Sequence, residues 1–336
     1  MANSGSQAES YSGNFMRPNY HVTIGSEQFS LENEREVISL KVSRNMGLPT
    51  DSCEVYLIGS EDYSFTTADA MKIQLGYDEE MEPVFSGLVE NISYDVNKVR
   101  VTALGFGVKL LRLRFNKGYL KQTAGKIVKD IAQEANITVG AASDGISFPT
   151  YVIDDATDAY EHVLKLAERC NFNVYYSDDE KLLFKESGGG KNHFLRYGHE
   201  IIRLAAFDFS PLCTGANIFG ESPSSVKGSE TSHWLTKQEV KGEAGSGTIL
   251  TIQDPAIRDK KTAETVAKAR MEKMRYTFGV AVETAGKPEI KLGDTVTLEE
   301  VANSALQGPL EVRSFEHYLS KNKGFTTVLS CWKRSK

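Results

Sequence analysis

Residues 82–105 read EPVFSGLVENISYDVNKVRVTALG, and residues 305–330 read ALQGPLEVRSFEHYLSKNKGFTTVLS. Each stretch opens on apolar residues around a glycine, passes an apolar pair with a glutamate, crosses a polar turn and ends in a Thr/Val run. Apolar and polar residues alternating on both sides of a turn make an antiparallel hairpin. A further strand pattern precedes each copy, KIQLGY at 72–77 and DTVTLEE at 294–300. The chain thus reads as an internal duplication of a small β unit. Gly87 and Gly308 take matching places in this reading, where a strand glycine marks a bulge or a close backbone approach.

Around the first copy, YHVTIG, EVISLKVSR, CEVYLIG and MKIQLGY supply more short β-rich runs between Gly, Pro, Asn and Asp. Residues 17–117 therefore predict a small antiparallel barrel or sandwich, preceded by a flexible polar tail over 1–16. Near Gly118 the period changes. TAGKIVKDIAQEANI puts Ile127, Val128, Ile131 and Ala135 on one helical face, with Thr123 as cap. Residues 150–173 predict a second helix with the stripe Tyr160, Val163, Leu164 and Ala167, capped by Asp155 or Thr157. VYYSDDEKLLFKE then reads as a hairpin, and SGGGKN at 187–192 as a joint. Residues 118–190 form a small α/β domain on this reading.

Strands resume in IIRLAAFDFS, ANIFGES, HWLTKQEV and TILTIQ, with one helix over 259–276 carrying Ala263, Val266, Ala267, Arg270 and Met274. YTFGVAVET, GDTVTLEE and the second hairpin close the chain. The expected fold is mainly β with an α+β insert. Two similar tube-like barrels, over 17–117 and 191–336, are joined by the α/β domain.

The 336 residues suit two or three domains at ~100–200 residues each. A hydrophobic content of 40% and charged content of 25% are those of a globular protein. No apolar run approaches the ~18–20 residues that span a bilayer, and the N-terminus lacks the basic and apolar regions of a secretory signal. Synthesis and folding in the cytoplasm are expected. The net charge of −6 gives no basic field for nucleic acid.

Candidate chemistry is sparse. Cys53, Cys170, Cys213 and Cys331 form no CxxC pair, and His21, His162, His193, His199, His233 and His317 form no metal-binding spacing. The acidic groups are Asp154, Asp155 and Asp158 at a helix start; Asp178, Asp179 and Glu180 in a hairpin turn; and Glu299 and Glu300 after a strand. Each has a structural explanation, the first in the helix dipole. LGFGVK at 104–109 lacks the third glycine of a dinucleotide loop, and SGGG lacks the Lys-Ser/Thr of a phosphate loop. No catalytic, cofactor or metal residue is assigned. The basic run Lys109, Arg112, Arg114, Lys117 and Lys121 reads as a strand edge between domains, with a docking patch for an acidic protein as the sharper alternative. The α/β unit also permits a peptidoglycan-binding module of lysin-motif type.

The order of these stretches resembles the hub proteins of contractile injection machines. These are the phage late control protein D family, the myophage baseplate hub and the N-terminal part of the valine-glycine repeat spike proteins of type VI secretion. VFSGLVENISYD, VTALGFGVKLLR and YLKQTAGKIVKDIAQEANI carry the first part of the match, and DATDAYEHVLKLAERCNFNVYYSDDEKLLFKE the middle. The closing helix is followed by Gly286, Pro288, Gly293 and Asp294 in a Gly-x-Pro-x-x-x-x-Gly-Asp pattern, then by the hairpin that holds His317. The resemblance spans about residues 17–333. It implies a non-enzymatic homotrimer, without cofactor, that joins the sixfold inner tube to the threefold spike and contacts other baseplate proteins. Type VI spike proteins continue into an oligonucleotide-fold barrel and a needle; this sequence ends at Lys336, so a separate spike protein is expected. The competing expectation is a tail-associated protein that binds or hydrolyses peptidoglycan; a free secreted effector is a third.

Overall fold

The computed structural model of the chain describes residues 17–32, 37–59, 62–220 and 240–333. The tail expected at 1–16 and residues 233–239 of the strand expected at HWLTKQEV lie outside them.

The first part consists of β1 (Pro18–Ile24), β2 (Glu27–Ser30), β3 (Val37–Asn45), β4 (Ser52–Ile58), β5 (Ala70–Tyr77), β6 (Glu80–Tyr94) and β7 (Lys98–Leu104), closed by the short helix α1 (Val108–Arg112). Alternation builds these strands. In β3, Leu40, Val42 and Arg44 point inward and Lys41 points to solvent. The strands run in the order β3-β4-β7-β6-β5-β1-β2, with every pair antiparallel. They curl around one apolar core that includes Phe29, Leu57, Met71 and Ile73. Burying a side chain of this size contributes about 1.5–3 kcal/mol.

The insert follows with β8 (Lys117–Thr123), α2 (Ala124–Glu134), β9 (Val139–Ala142), β10 (Ser147–Ile153), α3 (Ala159–Cys170), β11 (Asn173–Tyr176) and β12 (Leu182–Lys185). Thr123 caps α2 by accepting from Lys126 N at 3.3 Å. The helix expected over 150–173 is shorter. The run SFPTYVI alternates buried and exposed side chains and pairs with β8 as strand β10, so α3 begins only at Ala159. Its cap is Asp158, which accepts from Glu161 N at 3.0 Å, rather than Asp155 or Thr157. Both helices pack on one core, with Ile127, Val128, Ile131, Val163 and Leu166 fully buried.

The last part holds β13 (Asn192–Arg196), β14 (Ile201–Asp208), β15 (Gly215–Gly220), β16 (Lys241–Gly245), β17 (Ile249–Asp254), α4 (Lys260–Met274), β18 (Phe278–Ala285), β19 (Thr295–Glu299), β20 (Pro309–Ser320) and β21 (Gly324–Lys333). Its main strands follow the order β14-β18-β21-β20-β19-β13. Strand for strand this repeats β3-β4-β7-β6-β5-β1, in the same chain order. The match extends to register. An extra residue bulges at Ile38 in β3 and at Ile202 in β14, and again at Glu90 in β6 and at Arg313 in β20. Between the bulges, the cross-sheet row Leu40–Val55–Val101–Ile92 corresponds to Leu204–Val282–Leu329–Phe315. Bulges fix register because a one-residue slip would turn each strand inside out.

Three departures mark the second copy. β13 runs parallel to β19, whereas β1 runs antiparallel to β5. β15, β16, β17 and α4 are inserted between the equivalents of β3 and β4, with their own small core around Ile218, Val266 and Ala267. The β20–β21 hairpin also extends further than β6–β7. The register corrects one expectation. Gly87 pairs with Met71 as Leu310 pairs with Val296, so Gly87 matches Leu310. Gly308 stands just before β20 with a φ of +94°.

Candidate assembly interface

The two copies are fused. β20 pairs antiparallel with β3 from Ser314 opposite Asn45 to Ser320 opposite Ser39, which makes one 13-stranded sheet of the described residues. On the outer face Ser43 Oγ donates to Glu316 Oε1 at 3.0 Å and Lys41 pairs with the same carboxylate at 2.9 Å. On the other side, Leu319 and Phe325 of the second copy join the core of the first.

Arg44 locks this joint to the insert. Its guanidinium is almost fully buried and reaches Asp51 at 2.8 Å, Asp178 of the β11–β12 turn, and the carbonyls of Tyr176 at 2.7 Å and Ser177 at 3.2 Å. Burial opposes its charge, but Asp51 and Asp178 outweigh burial and hold the group above the ordinary arginine value. Lys291 of the second copy pairs with Asp178 at 3.2 Å and donates to Pro83 O at 3.1 Å. First copy, insert and second copy thus meet at one carboxylate.

The strands equivalent to this joint are open. β14, the counterpart of β3, pairs only with β18 among the described residues. β6, the counterpart of β20, pairs with β5 as far as Leu88; from Asn91 to Tyr94 it pairs, among the described residues, only with β7. The β14 edge is largely apolar, and the stretch 91–94 of β6 alternates polar and apolar residues. Ile202 is 60% exposed, Phe209 55% and Tyr94 71%. Phe207, Phe209 and Trp332 stack in a row with ring centroids 6.3 and 6.1 Å apart. An edge of this kind templates further strand pairing unless something covers it.

The candidates from sequence lie elsewhere and are held by local partners. Asp158 caps α3, and Asp154 accepts from Ala156 N at 3.0 Å. Asp178 is in the clasp, Asp179 pairs with Lys181 at 2.5 Å, and Glu299 and Glu300 flank Arg196 at 3.6 and 3.5 Å. His162 is buried beside Thr157 Oγ1 at 3.0 Å. His193 meets Asp294 at 2.8 Å. The Asp294 carboxyl also accepts from Lys191 N and Lys291 N, and these partners hold it below its usual range against the effect of burial. His317 is fully buried with Nδ1 2.9 Å from Thr327 Oγ1. Two residues of the basic run, Lys109 and Arg114, tie the first copy to the insert, Lys109 by donating to Asn136 O at 3.2 Å, while Arg112 and Lys117 pair within their own units. Arg112 grips Glu90 at 2.6 Å, Lys117 pairs with Asp130 and Glu134, and Arg114 donates to Ala156 O at 3.0 Å. Gly107 lets the chain pass Pro49 O, which a Cβ would meet at 2.1 Å. A groove of about 1010 Å³ between the first copy and the insert is lined by His21, Lys72, Gln74 and Glu180 together with the apolar Phe85 and Phe106. Among the described residues no group of His, Cys, Asp and Glu has the arrangement of a metal site. No described helix is long and apolar enough to cross a membrane.

Sequence reading did not single out Arg44 or the open edges. The signal for Arg44 was its phase: it falls on the inward side of the alternation that begins with Leu40 and Val42.

The fold is that of phage tail proteins. The 43 kDa tail protein of prophage MuSo2 from Shewanella oneidensis superposes with a TM-score of 0.70 at 12% identity, over 94% of this chain and 98% of that one. A tail protein of Neisseria meningitidis gives 0.70 at 10% identity, over 94% and 97%. The c3393 protein of E. coli, a component of the type VI secretion system with structural similarity to the T4 tail proteins gp27 and gp5, gives 0.61 at 12% identity, over 94% and 77%. No family model and no curated protein matches the sequence.

Proposed function

We propose that the chain is a structural, non-enzymatic component of a phage tail or related injection particle, and within it the baseplate hub. Residues 17–117, 118–190 and 191–336 are its three units on this reading, made in the cytoplasm and built into the particle. The observation that carries it is the repetition of six strands, in register and with both bulges, inside one chain. A closed homo-oligomer has one symmetry operator. Three chains with two copies each present six near-equal units to a sixfold tube and remain truly threefold toward a separate spike protein. The likeness to tail proteins of similar length supports the setting. Native mass measurement of the purified, assembled chain tests the reading. Three copies per complex are expected; a monomer or a hexamer overturns it. Clearing of peptidoglycan by the purified chain in a zymogram would overturn the non-enzymatic part.

A further inference from the structure

We infer that neighbouring copies of this chain join through β14 of one and residues 91–94 of β6 in the next, in the register that β3 and β20 already use within the chain. The inference rests on the ring reading above and adds the identity of the seam. Its basis is internal. β14 matches β3 and β6 matches β20 residue by residue, and among the described residues only the in-chain seam is occupied. Carrying the observed pairs across places Asn91 opposite Phe209, Ile92 opposite Asp208, Ser93 opposite Phe207 and Tyr94 opposite Ala206. Main-chain pairing of this kind extends a sheet without a new fold.

The side chains fit the placement. Tyr94 takes the position of His317, which the in-chain seam buries completely, while Tyr94 is 71% exposed in the single chain. Ile92 takes the position of Phe315, a core residue. On the outer face, the Phe207–Phe209–Trp332 row gains a neighbouring strand in place of water. Asp208 stands where Arg44 stands in the in-chain seam. The insert covers Arg44 there, and each chain has one insert for two seams, so Asp208 keeps a hydrated side. A repeated head-to-tail contact closes into a ring or runs on as a filament; closure after three chains is the ring proposed above.

Paired cysteines test the seam in the full-length chain. Ser93→Cys with Phe207→Cys bridges the proposed contact, and Ser43→Cys with Glu316→Cys bridges the observed pair within the chain. On mild oxidation of the assembled protein, the first pair is expected to convert the monomer band to a species of three chains. The control pair is expected to leave single chains, and either first-pair substitution alone gives no such species. Asn91→Cys with Phe209→Cys serves as a second pair should Phe207→Cys disturb folding. A trimer by native mass whose proposed pairs stay unlinked while the control pair closes overturns the seam and leaves the ring standing. A crosslink from these positions to another tail protein overturns the seam in the same way. A monomer by native mass overturns both.

Discussion

Arg44 of β3 and Asp178 of the insert form an ion pair inside the protein, with Asp51 on the other side of the same guanidinium. The three groups lie under the seam where the two copies fuse, so the insert is held by charge as well as by packing. Removing one member of a buried pair leaves its partner charged and dry, at a cost of about 3–5 kcal/mol. Arg44→Ala is expected to lose that much in denaturant unfolding. Asp178→Asn, which leaves Asp51 in place, should lose only about 1.5–3 kcal/mol. Amide exchange should rise first around residues 174–185. Equal losses for the two variants would show that Asp178 is the dominant partner and contradict the clasp as described.

The glycines divide by cause. A Cβ on Gly87 would stand 2.3 Å from Leu104 O in the adjoining strand, so Gly87→Ala forces two ladder strands apart. At Gly308 nothing lies within 4 Å, and the obstacle is the φ of +94°. Gly118 has neither obstacle. Thermal unfolding should therefore rank the alanine variants Gly87, Gly308, Gly118 from most to least damaging. Expected costs are about 1–3 kcal/mol or more for the first by overpacking, about 1–2 for the second by left-handed strain, and under about 0.5 for the third. Reversal of the first two would refute this account of Gly87.

The duplication was legible because period-two alternation and turn residues are local. Repeated hairpins therefore show in the sequence even when few residues are identical. Register was not legible. Matching Gly87 to Gly308 is a slip of two residues, which alternation of period two leaves invisible; only the strand pairing and the matching bulges at Glu90 and Arg313 put Leu310 in the place of Gly87. The same limit hid the start of α3, since TYVI can continue a helix or form a strand until its partner β8 is known. The fusion of the copies through β3 and β20 is a contact between residues far apart in sequence, and local pattern carries no trace of it. Arg44 was visible only as a charge in an apolar phase.

The revised start of α3 gives its own test. Asp158 accepts from Glu161 N at 3.0 Å, whereas Asp155 meets its neighbours through its backbone. Asp158→Ala is expected to cost about 0.5–2 kcal/mol as a lost helix cap. Asp155→Ala should stay within about 0.5 kcal/mol. Equivalent unfolding midpoints for the two variants would argue for a helix that begins earlier.

His317 makes stability depend on pH. Burial, helped by the charges of Lys291 and Arg44, holds the imidazole down to about 3 from an ordinary value near 6.5. The folded chain therefore refuses a proton that the unfolded chain accepts. Above about pH 6.5 neither state is protonated there and the full stability is present. As pH falls below that value the unfolded state gains protons and stability drops by about 1.4 kcal/mol per unit, until the folded group titrates. Carboxylates held low, such as Asp294, add their own loss only at lower pH. The window from pH 6 to pH 5 is where His317 stands out. Denaturant unfolding of the parent chain should be steeper there than that of His317→Gln, whose amide keeps a hydrogen-bonding atom for Thr327 and takes no proton. If both proteins share one slope across that window, His317 does not enter the unfolded state as a titrating group of ordinary value, and the pH dependence has another source.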